Sequence, residues 1–281
     1  MAEAMGGGIR SGVFEVEVAD YLGLAPWGTV WKDGGGWGDN IIDSVTPPYG
    51  YVMGGWSTSY GGAAQPGNIM HYLSSGPATF YARWAPSSYT LTFDKQGGEG
   101  GSDSATATFG QRLPKVDPPS RPGWRFEGYR NWAGSTYYDA QGNGLVDWSF
   151  AGDETLVAAW APLVTVDLGD AIARMAAAAG GGERTGSIEV AADELVGLGR
   201  YGVVWRDGGG SGNNVVDSVE APYGHYFAGW SSTRGGTVLA GDESGNVIHM
   251  MSSGAATYYA SCPASSYTLT FDKQGGEGGS D

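Results

Sequence analysis

The chain has 281 residues, with 15 basic and 30 acidic side chains and a formal net charge of −15 at pH 7. Such a surface repels phosphate backbones and anionic headgroups, which argues against nucleic acid and membrane surfaces as partners. Cys262 is the single cysteine, so an internal disulfide framework and a cysteine-based zinc site are excluded. No uninterrupted apolar run reaches the roughly 18 residues of a membrane-spanning helix, so no membrane insertion is expected within this segment. Glycine supplies 51 of the 281 residues, a share of about 18% against a usual share of about 7%. This excess predicts many tight turns.

Internal repeats organise the chain. Residues 87–103, SSYTLTFDKQGGEGGSD, return unchanged at 265–281, and residues 1–45 align without a gap on 175–219. Repeats on this scale indicate an array of modules, whose boundaries must be settled before other features. We expect a divergent, N-terminally truncated repeat module at 1–86, a second kind of module at 87–162, a divergent module with a leading helix at 163–263, and the truncated start of a further repeat at 264–281.

Short strands are predicted throughout the modules. Tyr89, Leu91 and Phe93 alternate with threonines, which is the period of two expected of a half-buried strand. A Gly-aromatic-x-apolar-x-Gly-aromatic pattern occurs at 50–56, 123–129 and 224–230, if His225 is counted as an aromatic ring. Clusters of Gly, Asn, Asp and Pro between these segments predict turns.

One segment has the pattern of a helix. Leu168, Ile172 and Met175 recur at the i, i+4, i+7 spacing of one helical face within residues 167–179. The alanines there have high helix propensity, Asp167 or Asp170 is a candidate N-cap, and the glycines at 180–182 provide a stop. The predicted fold class is therefore mainly β with short helices (α+β).

The module at 89–161 resembles the Listeria–Bacteroides repeat, also called the internalin B-repeat. The resemblance rests on YTLTFDKQGG at 89–98, TATFGQRLP at 106–114, RPGWRFEGY at 121–129, TYYDAQGN at 136–143 and ETLVAAWAP at 154–162. Gln96 and Tyr129 stand where the family commonly has Asn and Trp. The modules at 1–86 and 163–263 match only the Gly-aromatic and closing-strand blocks. The resemblance implies tandem small β-grasp-like modules on bacterial surface or secreted proteins, without catalytic residues.

Polar motifs in the chain have structural explanations. The glycine-rich loop after Asp94 lacks both the EF-hand spacing and the GK[ST] of a phosphate loop. His71 and His249 occupy matching positions in two copies, without the spacing or the neighbouring carboxylates of a metal site. No GxSxG pattern supports a serine nucleophile. The sequence therefore predicts no catalytic residue, no metal site and no cofactor, while calcium is compatible with the charge but not implied by it.

Exposed aromatic rings are the candidate ligand-binding residues. Trp27, Trp37 and Trp132 fall in loop-like contexts, and Trp37 aligns with Ser211, so the fold does not require an indole there. We expect a non-enzymatic segment of a bacterial cell-surface or secreted protein, which acts as a spacer, adhesion or protein-contact module. The alternative is a polysaccharide-binding module that uses these rings. The expected partner is an unknown protein or glycan at the cell surface.

Cys262 aligns with Trp84 on a strand and is expected to be a small buried hydrophobe. Residues 265–281 offer only Tyr267, Leu269 and Phe271 for burial, which is too little to order the segment. We therefore expect this tail to dock loosely at most.

Overall fold

The computed structural model describes residues 6–34, 39–272 and 274–277 of the chain. Two compact units are found, one made of Met1–Gln96, Gly101–Pro118 and Gly128–Ala158, the other of Gly97–Gly100, Pro119–Glu127 and Ala159–Asp281. Strands are numbered in chain order, and strands β1–β6, β7–β11 and β12–β19 are called the first, second and third modules.

The first module forms two separate sheets. Its strands are β1 (Tyr21–Leu24), β2 (Val30–Lys32), β3 (Asn40–Ile42), β4 (Tyr51–Ser57), β5 (Ile69–Tyr72) and β6 (Tyr81–Pro86). One sheet has the order β3-β2-β1-β5, and the other is the β4-β6 pair. The buried core contains Leu24, Val30, Ile41, Ile42 and Trp56.

The second module is one five-stranded sheet. Its strands are β7 (Ser88–Asp94), β8 (Ser104–Thr108), β9 (Trp124–Arg130), β10 (Thr136–Tyr138) and β11 (Glu154–Pro162). The order is β10-β9-β11-β7-β8, and β11 runs parallel to β7. The predicted alternation in β7 is confirmed, because Leu91 and Phe93 are buried while Thr90 and Thr92 are exposed. Phe93 stacks on Tyr129 at a centroid distance of 4.4 Å inside this core.

The third module is built on one larger sheet. Its strands are β12 (Val164–Met175), β13 (Glu183–Val190), β14 (Leu195–Leu198), β15 (Val204–Arg206), β16 (Asn214–Glu220), β17 (Gly229–Ser231), β18 (Val247–Met250) and β19 (Ala256–Ser261). The order is β17-β19-β12-β16-β15-β14-β18, and β13 also pairs with β12. Strand β12 lies in the middle of this sheet and carries six of the buried core side chains: Val164, Val166, Leu168, Ala171, Ala173 and Met175.

The predicted fold class with short helices is wrong, and the fold is mainly β. Over the described ranges the helical elements are single 3-10 turns at Leu73–Ser75, Ala177–Ala179 and Met251–Ser253. A β-grasp-like arrangement packs a helix against its sheet, and no such helix occurs in the described part of the chain. The segment predicted as a helix, 167–179, is instead residues 167–175 of β12, followed by Ala176 and one 3-10 turn.

A register shift explains why residues 167–179 imitate a helix. Buried side chains alternate at 164, 166 and 168 and then at 171, 173 and 175. The shift of phase lies at Gly169, which has φ +58°, where the pairing with β13 is irregular. It brings Leu168 and Met175, seven residues apart, to the same face, as a helix would. Pairing on both sides of the strand outweighs a helix preference of only a few tenths of a kcal/mol per residue.

Candidate functional site

The turn between β1 and β2 presents Trp27 to solvent, with 67% of its surface exposed. The backbone of this turn is held by the protein core, because the buried Trp56 donates its indole N–H to the carbonyl oxygen of Ala25 at 2.8 Å. Gly28, next in the chain, has φ +101° and completes the turn. An exposed ring on a well-anchored turn is suited to stacking against a flat ligand.

The third module repeats this arrangement. Tyr201 aligns with Trp27 and is 72% exposed. The turn is again anchored by a buried indole, since Trp230 donates to the carbonyl oxygen of Gly199 at 2.8 Å. The guanidinium of Arg200 lies 4.4 Å from the centre of the Tyr201 ring. Sequence reasoning missed Tyr201, although alignment of the copies points to it.

Trp132 is more exposed than Trp27, at 87%. It lies in the turn between β9 and β10, where Asn131 Oδ1 accepts hydrogen bonds from the amides of Ala133 at 3.1 Å and Ser135 at 2.9 Å. The third predicted residue, Trp37, lies outside the described residues. Across the residues that the structure describes, no ring contact joins Trp27 to Trp132. Trp27 and Trp132 are therefore exposed indoles on two different turns.

The histidines that align between copies hold turns. The Nε2 atom of His71 donates to the carbonyl oxygen of Gly76 at 2.7 Å, and Nε2 of His249 donates to that of Gly254 at 2.9 Å. Within the described ranges, no group of three or more His, Cys, Asp or Glu side chains could hold a metal ion.

The aspartates of the two aligned Asp-Gly-Gly-Gly loops also serve the fold. Asp33 Oδ1 accepts the amides of Asp20 at 2.7 Å and Ala19 at 3.1 Å. Asp207 Oδ1 accepts the amides of Glu194 at 2.8 Å and Asp193 at 2.9 Å. These backbone hydrogen bonds lower the pKa of both carboxyl groups. Both carboxylates thus accept hydrogen bonds from backbone amides, which agrees with a structural role.

Cys262 is half-buried rather than fully buried. It is a free thiol that packs at the edge of the third module's core. Burial raises the pKa of this thiol, so less of it is present as the reactive thiolate near neutral pH. Its setting does not favour nucleophilic chemistry.

Three rings meet where the first module adjoins the second. Phe109, just after β8, lies edge-on to Tyr49 and Tyr51, at centroid distances of 5.6 and 5.5 Å. Between the tyrosines, a Cβ on Gly50 would lie 2.3 Å from the Phe109 ring, so this approach needs glycine. The Tyr49 hydroxyl accepts a hydrogen bond from the Ala151 amide at 2.9 Å. We call Tyr49, Tyr51 and Phe109 the joint cluster.

The same backbone hydrogen bond closes each module. The amide after the closing segment donates to the carbonyl oxygen of the glycine that opens the Gly-aromatic pattern. The pairs are Ser87 to Gly50 at 2.9 Å, Leu163 to Gly123 at 2.8 Å, and Ser265 to Gly224 at 2.8 Å. Sequence reasoning found the glycine pattern but not this bond or the joint cluster. The sequence does contain a signal for this feature. A Pro-Tyr-Gly segment at 48–50 and 222–224 ends on the first glycine of the pattern in both copies.

Comparison with known proteins confirms the family resemblance of the second module. The Listeria–Bacteroides repeat domain matches residues 89–159. A putative Gly-rich membrane protein of Evansella cellulosilytica is 30% identical over 83 residues, which is 28% of this chain and 9% of that protein. The chain thus spans only a small part of that relative. No solved structure was found to match the chain. No helix in the described ranges is long and apolar enough to cross a bilayer.

Proposed function

We propose that the chain is a non-enzymatic, tandem-module segment of a bacterial cell-surface or secreted protein, where it acts as a spacer and protein-contact segment. The joint cluster is the observation that carries the spacer role. A spacer must transmit the position of one module to the next, and a flexible linker does not do so. Here Phe109 of the second module packs between Tyr49 and Tyr51 of the first.

The family match supports the proposed location, because the repeat is typical of bacterial surface proteins. The net charge of −15 is consistent with a highly solvated surface. The proposal of a non-enzymatic role rests on the structural uses of the histidines and the Asp-Gly-Gly-Gly aspartates described above.

The spacer role is tested with Phe109→Ala. Fluorescent labels placed on the first and second modules should report a broader distribution of distances in this variant than in the wild type. Phe271→Ala is the matched control, because that phenylalanine is 65% exposed in the tail. An unchanged distribution in Phe109→Ala, with the same denaturation midpoint, would argue against the joint cluster as the element that fixes the modules.

Polysaccharide binding is the second candidate function. It is favoured by the exposure of Trp27 at 67% and Trp132 at 87%, both on turns fixed by hydrogen bonds. The test is a glycan array read with wild type, Trp27→Ala, Trp37→Ala and Trp132→Ala. Binding that is lost in these variants but kept in Tyr223→Ala, another exposed ring, would support this function. If the wild type binds no glycan on the array, polysaccharide binding is contradicted and the spacer role is the one that remains.

A further inference from the structure

Strand β18 is a free edge of the sheet in the third module. It is the last strand in the sheet order and, among the described residues, pairs with β14 alone. The Met251 amide donates to the carbonyl oxygen of Glu194 at 2.8 Å, which fixes the phase of this antiparallel ladder. Hydrogen-bonded pairs alternate along such a ladder, so Ile248 and Met250 direct their N–H and C=O groups away from β14. The β18 edge therefore presents backbone groups that a further strand could bind.

The first module has the same free edge. Strand β5 is the last strand of its sheet and pairs with β1, and the Leu73 amide donates to the carbonyl oxygen of Asp20 at 2.8 Å. By the same alternation, Met70 and Tyr72 direct their backbone groups away from β1. The second module follows the first module in the chain and precedes the third, and the edge strand is the last of its sheet in both. A neighbouring module on either side along the chain therefore leaves this edge open.

The residues with outward backbone groups also have exposed apolar side chains. Ile248 and Met250 are 41% and 47% exposed, and Met70 and Tyr72 are 40% and 51% exposed. Neither β18 nor β5 contains a charged residue, a proline or a bulge in its pairing. These are the usual devices that keep a sheet edge from adding another strand. Both edges are thus suited to pairing with one.

An indole ring widens the apolar surface beside each edge. A Cβ on Gly197, which pairs with Ile248, would overlap the ring of Trp205, so this glycine lets the indole lie across β14. The first module repeats the arrangement with Gly23, Met70 and Trp31. A strand added at either edge would therefore place its alternate side chains next to an apolar surface.

Acidic side chains lie at both ends of β18. Asp242 and Glu243 come a few residues before the strand and are exposed. Asp193 and Glu194, also exposed, come directly before β14, whose first residue, Leu195, pairs with the last residue of β18. The strand between these two groups carries no charge. The β18 edge is thus an apolar strip between two acidic ends.

Two arginines offset this charge only in part. Arg200 packs on the loop that carries Asp242, since a Cβ on Gly245 would lie 3.1 Å from its Cδ. At the other end, Arg206 is followed in the chain by Asp207, which is a further acid. One arginine against two or three carboxylates leaves each end of the edge with net negative charge.

A second copy of the β18 edge is a poor occupant for this surface. Antiparallel pairing of two such strands would bring residues 242–243 of one copy to the end of the joined sheet that holds residues 193–194 of the other. Parallel pairing would bring the two 242–243 segments together. Like charges on neighbouring strands are destabilising. The occupant with complementary charge is instead basic at both ends.

We propose that the β18 edge is a strand-addition site for an extended segment of another protein, with apolar side chains at two alternate positions and basic side chains at both ends. In strand addition, main-chain hydrogen bonds supply affinity and alternate side chains supply specificity. The β5 edge binds the same segment more weakly, because residues 58–68 before it carry no charge. The proposal deepens the protein-contact part of the proposed function and rests on it, whereas the spacer role depends on the joint cluster.

The test titrates the full chain with a labelled peptide, KKTVTITKK, and follows fluorescence anisotropy. Its valine and isoleucine stand at alternate positions between lysines. It should bind saturably, and more weakly as the salt concentration is raised. Two control peptides should each bind at least about tenfold more weakly. One is EETVTITEE, which reverses the charge, and the other carries N-methyl groups on the valine and isoleucine, whose amides then cannot donate to β18.

Matched variants of the chain locate the site. Ile248→Lys with Met250→Lys should remove the tighter site, and Met70→Lys with Tyr72→Lys should remove only the weaker one. All four side chains are exposed, so the denaturation midpoints should stay near that of the wild type. In the wild type, the peptide should slow hydrogen exchange at the amides of Ile248 and Met250, which face the free edge.

The charge requirement is tested by Asp242→Asn with Glu243→Gln. This variant should bind KKTVTITKK severalfold more weakly and with a smaller dependence on salt. The turn itself should be kept, because asparagine retains a side-chain oxygen that can accept the amides of Ser244 and Asn246, as Asp242 Oδ1 does.

Four results would overturn the proposal. They are no saturable binding, equal binding of the control peptides, unchanged exchange at Ile248 and Met250, and dimerisation of the free chain that Ile248→Lys with Met250→Lys abolishes, which would assign the edge to a second copy. If a variant fails to fold, the N-methylated peptide still decides the question on the wild type. Failure of this test leaves the distance measurement on Phe109→Ala, and with it the spacer role, unaffected.

Discussion

Two buried tyrosines make the second module sensitive to alkali. Burial raises the pKa of Tyr129 to about 12, assisted by the charges of Asp103 and Asp94. Burial also raises the pKa of Tyr138 to about 12. An exposed phenol ionises near pH 10, so the unfolded state releases these protons first. Their contribution to stability is therefore complete below about pH 10 and is lost as the pH rises towards 12.

We expect the Tyr129→Phe, Tyr138→Phe double variant to lose less stability between about pH 9 and pH 11.5 than the wild type. The measurement is the denaturant midpoint of the second module as a function of pH. Tyr60→Phe is the control, because Tyr60 is 89% exposed and should leave the wild-type pH dependence intact. An identical pH dependence in the double variant and the wild type would contradict the assignment.

The second glycine of the Gly-aromatic pattern is a further site where one residue decides stability. Gly128 has φ +124°, and an added Cβ would lie 2.1 Å from the carbonyl oxygen of Tyr138. Gly134 has φ +87°, and a Cβ added there would have no other atom within 4 Å. Gly134→Ala should cost roughly 1–2 kcal/mol for its backbone conformation alone, whereas Gly128→Ala should cost clearly more because the clash is with backbone. Equal losses in chemical denaturation would show that the strand shifts to accommodate the methyl group.

At the scale of elements, β12 gives a direct test of strand against helix. A helix would bury Leu168 and Ile172 alike, but the strand leaves Leu168 at 1% exposure and Ile172 at 36%. Leu168→Ser should therefore destabilise the third module by roughly 3 kcal/mol or more, and Ile172→Ser by about 1 kcal/mol or less. Amide hydrogen exchange of the third module in increasing denaturant measures both. Similar losses for the two variants would favour the helical arrangement.

The same strand shows where prediction from sequence ends. The alternation of Leu91 and Phe93 was enough to identify β7, because nothing interrupts its period. In β12, the irregular pairing at Gly169 moves the buried positions by one residue, and the apolar spacing then matches a helix. The shift depends on pairing with distant strands, which no local pattern records. Likewise, exposure of Trp27 and Trp132 followed from their turn contexts, whereas the joint cluster depends on a contact between Tyr49 and Phe109, far apart in sequence.

At the scale of the whole molecule, two identical segments, residues 87–103 and 265–281, differ in structure over their described residues. Residues 89–93 lie in β7, between β8 and β11, whereas Tyr267, Leu269 and Phe271 in the identical tail segment are 80%, 74% and 65% exposed. A strand forms here only where neighbouring strands complete its hydrogen bonds. An unpaired segment of this composition is prone to pair between molecules.

We therefore predict that a chain ending at Ser266, which keeps the hydrogen bond from the Ser265 amide to Gly224, keeps nearly the same melting temperature and self-associates less than the full chain. Melting is followed by circular dichroism, and association by sedimentation velocity. A full-length variant with Tyr267, Leu269 and Phe271 changed to Ser should behave as the shortened chain does. A clear drop in melting temperature on shortening would mean that the tail contributes to a folded sheet in solution.

The hydrogen bond that closes every module has a consequence for how such a chain changes in evolution. Donor and acceptor are backbone groups, and the acceptor residue is a glycine in all three cases, at positions 50, 123 and 224. Both kinds of module therefore end with the same connection, although their sequences differ. Duplicating or deleting a complete module leaves this connection chemically unchanged at every remaining boundary. The number of modules can accordingly change without any substitution being needed to preserve this backbone bond.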